Sequence, residues 1–273
     1  MKTLEIYTNN TNPNFTIVLP GPCQANCDFC FWKREDSEGA FLKSLKRVLK
    51  RLPSNFTQIS ISGGEPTLSP VFEQTMELIN KYKAKGKFHK VVLTTNGVKL
   101  KYKDLTGIDH INISRHAVRD SVNREIFKTK NVPHAKHMQG IVNYVNKFGI
   151  DVNFNAVRTE AHTDTLSEWV DFARFCNVQS ITFRNQYGNY ESSPQEDRLK
   201  FLGYKPTGRS QCPVCLTTEY TYFGVNLKFH SSDYEPTESK AFDEREVYEL
   251  VLHPTGDLAR DWEAKKIILA RKD

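Results

Sequence analysis

Cys23-Gln-Ala-Asn-Cys27-Asp-Phe-Cys30 and, after the next apolar strand, Ser62-Gly63-Gly64-Glu65-Pro66 decide how this chain is read. The three cysteines occupy a loop just after the apolar run Phe15-Thr-Ile-Val-Leu19. Thiolates hold iron-sulfur clusters, normally four at a time, so three clustered cysteines leave one iron of a cubane open. Zinc usually wants four ligands in pairs such as Cys-x-x-Cys, which leaves Cys23 awkward unless a distant residue completes the set. A disulfide framework fits less well. The chain is long, has six cysteines, and its start Met1-Lys-Thr-Leu-Glu-Ile lacks the apolar stretch of an export signal. No apolar run approaches membrane-spanning length, so a reducing, cytoplasmic setting is expected.

Working outward from the loop, hydrophobic periodicity alternates between strand and helix. Phe15–Leu19 reads as a strand, and residues 40–52 as a helix with Phe41, Leu42, Leu45, Val48, Leu49 and Leu52 on one face. Strand-like segments follow at 57–62, 88–95, 110–114, 151–157 and 180–184. Helical periods lie at 71–82, at 133–148 behind Pro133 and before Gly149, and at 166–176. This order fits right-handed βαβ crossovers and a parallel α/β sheet. Six strands are too few for an ordinary closed eight-stranded barrel.

At 273 residues and 38% hydrophobic content the chain suits one large domain or a domain with an appendage. The formal charge of +6 favours an anionic substrate or partner. Its basic clusters, 43–51, 81–90 and 99–103, read as solvated helix faces and turns. No stripe of interleaved aromatics accompanies them, so nucleic acid is possible but not indicated.

The cysteine spacing, the aromatic before Cys30 and the Gly-Gly-Glu-Pro after the second strand resemble the radical S-adenosylmethionine (radical SAM) superfamily. The resemblance implies an open (β/α)6 partial TIM barrel, with function at the C-terminal strand ends. It implies a 4Fe-4S cluster on Cys23, Cys27 and Cys30, and S-adenosyl-L-methionine on the open iron. One-electron cleavage of that cofactor would yield a 5'-deoxyadenosyl radical that abstracts hydrogen from a substrate. Gly63 and Gly64 let backbone approach the methionyl amino group, and Glu65 is a site member of unsettled role. Thr95, Ser114 and Asn155 are assigned to the cofactor carboxylate and ribose, and Phe29 to shielding the cluster. Arg184 is expected to meet an anionic substrate, and His116, at a strand end, to contact substrate or to serve structurally. An electron donor such as flavodoxin or ferredoxin is the implied partner.

Beyond residue 190 the sequence turns polar and then β-rich, which divides the chain into a core at 1–190 and a C-terminal β-rich extension at 191–273. Residues 217–229 read as a hairpin around Gly224, and 249–259 as strand, turn, strand. Cys212-Pro-Val-Cys215 precedes them, an arrangement similar to the auxiliary-cluster (SPASM or twitch-like) extensions of radical SAM enzymes. Those carry a third cysteine after the Gly-Asp turn, where this chain has Ala259, Arg260 and Asp261. A metal at Cys212 and Cys215 and a plain thiol pair both stay open. Cys176, in a helical segment, reads as a small buried apolar residue. The expected function is a radical SAM enzyme acting on an anionic, nucleotide-like or other phosphorylated small molecule. A peptide or nucleic-acid substrate is the alternative within the class, and a non-catalytic iron-sulfur or zinc-binding interaction protein the alternative outside it.

Overall fold

A computed structural model of the chain describes residues 2–6, 13–30, 38–159, 164–186, 193–209, 215–232 and 246–271. Strands β1 (Asn14–Leu19), β2 (Gln58–Gly63), β3 (Lys90–Thr95), β4 (His110–Ser114), β5 (Asp151–Val157) and β6 (Ser180–Arg184) pair in parallel in chain order. Helices α1 (Glu38–Arg51), α2 (Phe72–Lys83), α3 (Asp120–Phe127), α4 (Ala135–Asn146) and α5 (Leu166–Phe175) connect them. The β3–β4 link, where no helical period was expected, carries a 3-10 turn at Leu100–Tyr102, and the β4–β5 link departs from the sequence expectation by carrying α3 as well as α4. Helix α3 has eight residues and no side-chain cap, and its buried residues Asn123, Ile126 and Phe127 are too few to stand out as a period. By contrast, α5 opens on a capping box in which Thr165 and Glu168 satisfy each other's backbone N–H groups.

The two faces of the sheet differ in chemistry. Phe15, Ile17, Ile59, Ile61, Val91, Leu93, Ile111, Ile113, Phe154 and Ile181 point to the helices. They join Leu45, Val48 and Leu49 of α1, Ile79 of α2, Val142 and Val145 of α4, and Trp169 of α5 in one core. Each such fully buried aliphatic or aromatic side chain stabilises the fold by about 1.5–3 kcal/mol relative to exposure. The alternate residues Thr16, Ser60, Thr94, Asn112, Asn153, Asn155, Ser180 and Thr182 share the opposite face. Parallel strands covered by apolar layers on both sides are near-continuous hydrophobic runs. Polar alternation here marks the second face as the wall of a chamber.

Asn153 is the hub of that wall. Its amide donates to Asn112 Oδ1 (3.1 Å) and Asn155 Oδ1 (2.9 Å), and its oxygen accepts from Ser180 (2.9 Å) and Thr182 (3.2 Å).

The chain beyond residue 190 builds onto both flanks of this sheet. After α6 (Pro194–Phe201) come β7 (Gly208–Arg209), β8 (Cys215–Tyr222), β9 (Val225–Ser232), β10 (Glu249–Leu252), β11 (Leu258–Ala259) and β12 (Ile267–Leu269). The expected hairpin is β8–β9, and β9 pairs in parallel with β6. The expected strand, turn and strand is β10–β11, and β10 pairs in parallel with β1. The order is β12-β11-β10-β1-β2-β3-β4-β5-β6-β9-β8-β7. The sheet is α/β, parallel through its middle and unclosed. No helix among the described residues is long and apolar enough to cross a membrane.

Candidate active site

The loop after β1 is held from two sides. Asn26 N–H donates to the carbonyl of Phe127 at the end of α3 (3.0 Å), and Lys128 pairs with Asp28. Gln24 Nε2 donates to Asn96 Oδ1 (3.0 Å) and to the Asn131 carbonyl (3.1 Å). Ala25, Phe127 and Val132 form a small apolar cluster against which Cys23 and Cys27 pack. The helix that periodicity did not reveal therefore buttresses the cysteine loop. Cys23 and Cys27 are half-buried, Cys30 is exposed, and none of the three is in a disulfide. Burial together with the charges of Cys30 and Cys23 pushes the Cys27 thiol up to about 12. A bound cation reverses that cost, since a metal deprotonates its thiol ligands outright.

Across from this loop, the β2 turn is shaped by two glycines. Gly63 has φ +152°, and a Cβ there would lie 2.8 Å from the Leu19 carbonyl oxygen. A Cβ on Gly64 would fall 3.1 Å from both the Cys23 Cβ and the Pro22 oxygen. The two loops thus touch backbone to backbone, and Glu65 N–H donates to the Pro22 carbonyl (3.2 Å). Gly21, missed in the sequence although Pro20 and Pro22 flank it, serves the same contact. Its φ is +128°, and a Cβ there would meet Ser69 Cα at 3.1 Å.

Glu65 has a resolved role here. Its Oε1 accepts from Thr67 N–H (3.0 Å), Thr67 Oγ1 (2.6 Å) and Thr95 Oγ1 (2.5 Å), and its Oε2 accepts from Asn96 N–H (2.7 Å). Burial pushes its carboxyl up, and these four donors pull the other way. The side chain pins the end of β2 to the end of β3. The Thr95 hydroxyl is part of the same knot, since it also accepts from Gly97 N–H (2.9 Å).

At the end of β4 the three consecutive residues diverge. Ser114 lies on the chamber face with Asn112. Arg115 is buried in an ion pair with Asp120 (2.8 Å) and donates to the carbonyls of Ala117 (2.7 Å), Val118 (2.7 Å) and Pro133 (2.9 Å). His116 is buried with its ring 5.0 Å from that of Phe29 and 4.5 Å from that of Phe127. Its Nδ1 accepts from Val157 N–H (3.1 Å), which leaves the ring proton on Nε2. Phe29, His116 and Phe127 thus stack the cysteine loop onto α3. Asn155 stands beside Ser114 in register, and its Oδ1 is held by Asn153.

Arg184 ends β6 opposite His230 of β9. Burial and the Arg184 charge depress His230 to about 3, and its Nδ1 lies 2.8 Å from Thr217 Oγ1. Arg158 Nη1 donates to Asn185 Oδ1 (3.0 Å), which places a second guanidinium at this corner. Cys212 and the side chain of Cys215 lie outside the described residues, as do Phe31 and Trp32.

The profile of the Radical SAM superfamily matches residues 17–192. The chain belongs to the radical SAM superfamily. Its members use a 4Fe-4S cluster and S-adenosyl-L-methionine, and the three thiols on the loop after β1 suit three corners of such a cubane. Among the described residues no three His, Cys, Asp or Glu side chains converge on one ion. Ligands to separate irons need no such convergence. The chain is 27% identical over 199 residues to an S-adenosylmethionine-dependent nucleotide dehydratase of Flammeovirga pacifica, covering 66% of this chain and 67% of that protein. It is 28% identical over 174 residues to a probable GTP 3',8-cyclase of Saccharolobus islandicus, covering 60% and 54%. It therefore spans about half the length of the cyclase. Among solved structures, Streptococcus suis SuiB bound to S-adenosylmethionine superposes with a TM-score of 0.62 at 17% identity, over 96% of this chain and 63% of that one. That likeness concerns the fold.

Proposed function

We propose that this radical SAM enzyme abstracts hydrogen from an anionic, nucleotide-like small molecule bound in the chamber between β1 and β9. When bound, the cluster and S-adenosylmethionine supply a 5'-deoxyadenosyl radical, chemistry that no side chain initiates. Cys23, Cys27 and Cys30 hold the cluster, with Phe29 as its cover. Backbone at Gly63 and Gly64 receives the methionyl end, and Ser114 and Asn155 face the rest of the cofactor. Thr95 contributes through Glu65, which fixes the β2 and β3 loop ends to each other. An electron donor of the flavodoxin or ferredoxin kind supplies the reducing electron.

The observation that carries the substrate class is the cationic corner at the end of β6, where Arg184 stands in register with His230 and next to Arg158. A phosphate is the complementary group. Two relatives with nucleotide names agree with it. The test incubates the anaerobically reconstituted enzyme with deuterated nucleotides and follows deuterium into 5'-deoxyadenosine. Transfer from a nucleotide, with KM raised about tenfold or more in Arg184→Ala and kcat less affected, supports the reading. Transfer only from peptides overturns the substrate class.

A further inference from the structure

The basic cluster at 99–103, expected as solvated turns, is carried by the fold to the cysteine rim. Residues 96–103 leave the C-terminal end of β3, and residues 128–136 join α3 to α4. Together the two segments hold six lysines, Lys99, Lys101, Lys103, Lys128, Lys130 and Lys136, and no carboxylate. Asp104 and Glu125 lie just outside them, with Arg124 beside Glu125.

Contacts between the two segments make them one surface. A Cβ on Gly97 would lie 3.6 Å from Pro133 Cγ, and a Cβ on Gly140 would lie 2.9 Å from Lys101 Nζ. Tyr144 Oη donates to the Lys103 carbonyl (2.9 Å). Lys136 stands four residues before Gly140 on α4, so it shares the helix face that meets Lys101. The same surface runs onto the cysteine loop. Gln24 Nε2 bridges Asn96 and the Asn131 carbonyl, and Val132 belongs to the apolar cluster against which Cys23 and Cys27 pack. Lys128 pairs with Asp28, which lies between Cys27 and Cys30.

Lys103 is compensated by Glu73, and Lys128 by Asp28. Lys99, Lys101, Lys130 and Lys136 are exposed and make no ion pair among the described residues. Tyr102, amid them, is 80% exposed, with Lys99 Nζ 5.4 Å from its ring centroid. Uncompensated cations around one open ring suit a brief, steered protein encounter, in which charge speeds the approach and the aromatic anchors the contact. Cys30 is exposed on the loop that Lys128 holds, so a protein seated on this band adjoins the cluster loop from outside. We infer that the band is the docking surface of the electron donor, an acidic one-electron carrier protein. One electron leaves the reduced carrier and enters the cluster, and no bond forms or breaks. Nucleic acid is the other polyanion of matching charge, but a single exposed ring offers it no row of stacking platforms. The inference rests on the proposal that Cys23, Cys27 and Cys30 hold a cluster reduced by a protein donor, and adds where that donor sits.

The full-length, reconstituted enzyme with S-adenosylmethionine is mixed anaerobically with flavodoxin hydroquinone while flavin oxidation is followed. In parallel, dithionite is the reductant and 5'-deoxyadenosine is measured. The double substitution Lys130→Glu with Lys136→Glu should slow flavodoxin oxidation about tenfold or more, within the range that electrostatic steering adds. Dithionite-driven cleavage should be unchanged. The wild-type flavodoxin rate should fall as salt rises from about 0.05 to about 0.5 M, and the rate of the variant should depend on salt less. Equal flavodoxin rates in wild type and variant overturn the inference and leave the cluster in place. So does a wild type that dithionite reduces but neither flavodoxin nor ferredoxin does. Loss of affinity for a tRNA probe in the variant, with the flavodoxin rate kept, makes the band a nucleic-acid surface and also overturns the inference. No cleavage with dithionite in the wild type sinks the cluster proposal and the inference with it. Should the first variant lose iron, Lys99→Glu with Lys101→Glu and the wild-type salt dependence decide by the same criteria.

Discussion

Glu65 and Glu249 are carboxylates withdrawn from water on either side of β1, one buried at the cysteine rim after β2 and one half-buried at the start of β10. Glu65 has four donors on its two oxygens, and Glu249 has one, the Trp262 indole. A buried charge whose hydrogen-bonding capacity is filled by backbone and hydroxyl groups fastens two loops and cannot also meet a ligand. A carboxyl with one donor has little to offset its burial, and Glu249 is accordingly pushed up to about 7. The rim is therefore fastened by its own donors, and the flank carboxyl is poorly compensated.

The largest effect that would break this contrast is at the rim itself. Cys27→Ala should abolish the reducible cluster and bring S-adenosylmethionine cleavage to background. A variant that still shows the iron-sulfur absorbance after anaerobic reconstitution, and still cleaves the cofactor, removes the rim from the chemistry. Next comes the buttress. Phe127→Ala deletes the ring shared by His116, Ala25 and Val132, and should cost about 3 kcal/mol of stability with reduced iron content per chain. Unchanged melting and full iron loading would show that the cysteine loop stands without α3.

The smallest effect belongs to the flank. The Glu249 carboxyl is raised from 4.5 to about 7 in the folded chain. A raised carboxyl contributes its stability fully below pH 4.5 and loses it as pH rises through about 7. Stability of the wild type relative to Glu249→Gln should therefore fall between pH 5 and 8, by at most about 3 kcal/mol at 1.36 kcal/mol per pH unit. Denaturant melts of the two proteins across that range check the slope, and a flat difference contradicts the enclosed carboxyl.

Much of the candidate site is proposed from residue types alone. Cys23, Cys27, Cys30, Gly63 and Gly64 are readable because thiolate chemistry and glycine geometry admit few substitutes. Phe29 is expected to cover the cluster, and what the structure adds is its edge-on packing against His116. Glu65 and Thr95 were legible as site members, but not as partners of each other. The hydrogen bond between them spans thirty positions. His116 was visible as a strand-end histidine, while its place between Phe29 and Phe127 was not. Asn153 gave no signal, because an asparagine inside a strand reads as a weak strand former until its neighbours in register are known.

By itself the sequence determined the alternation of six strands with mostly helical crossovers, since period-2 and period-3.6 burial are local properties of the chain. It also determined the thiol donor set, which is fixed by covalent chemistry. Tertiary structure alone decided that residues beyond 190 extend both flanks of one sheet, that short, uncapped α3 supports the cysteine loop, and that Trp262 is delivered to Glu249. Those contacts join segments far apart in the chain, and which segments meet is set by strand register and packing, for which a single sequence carries no local mark.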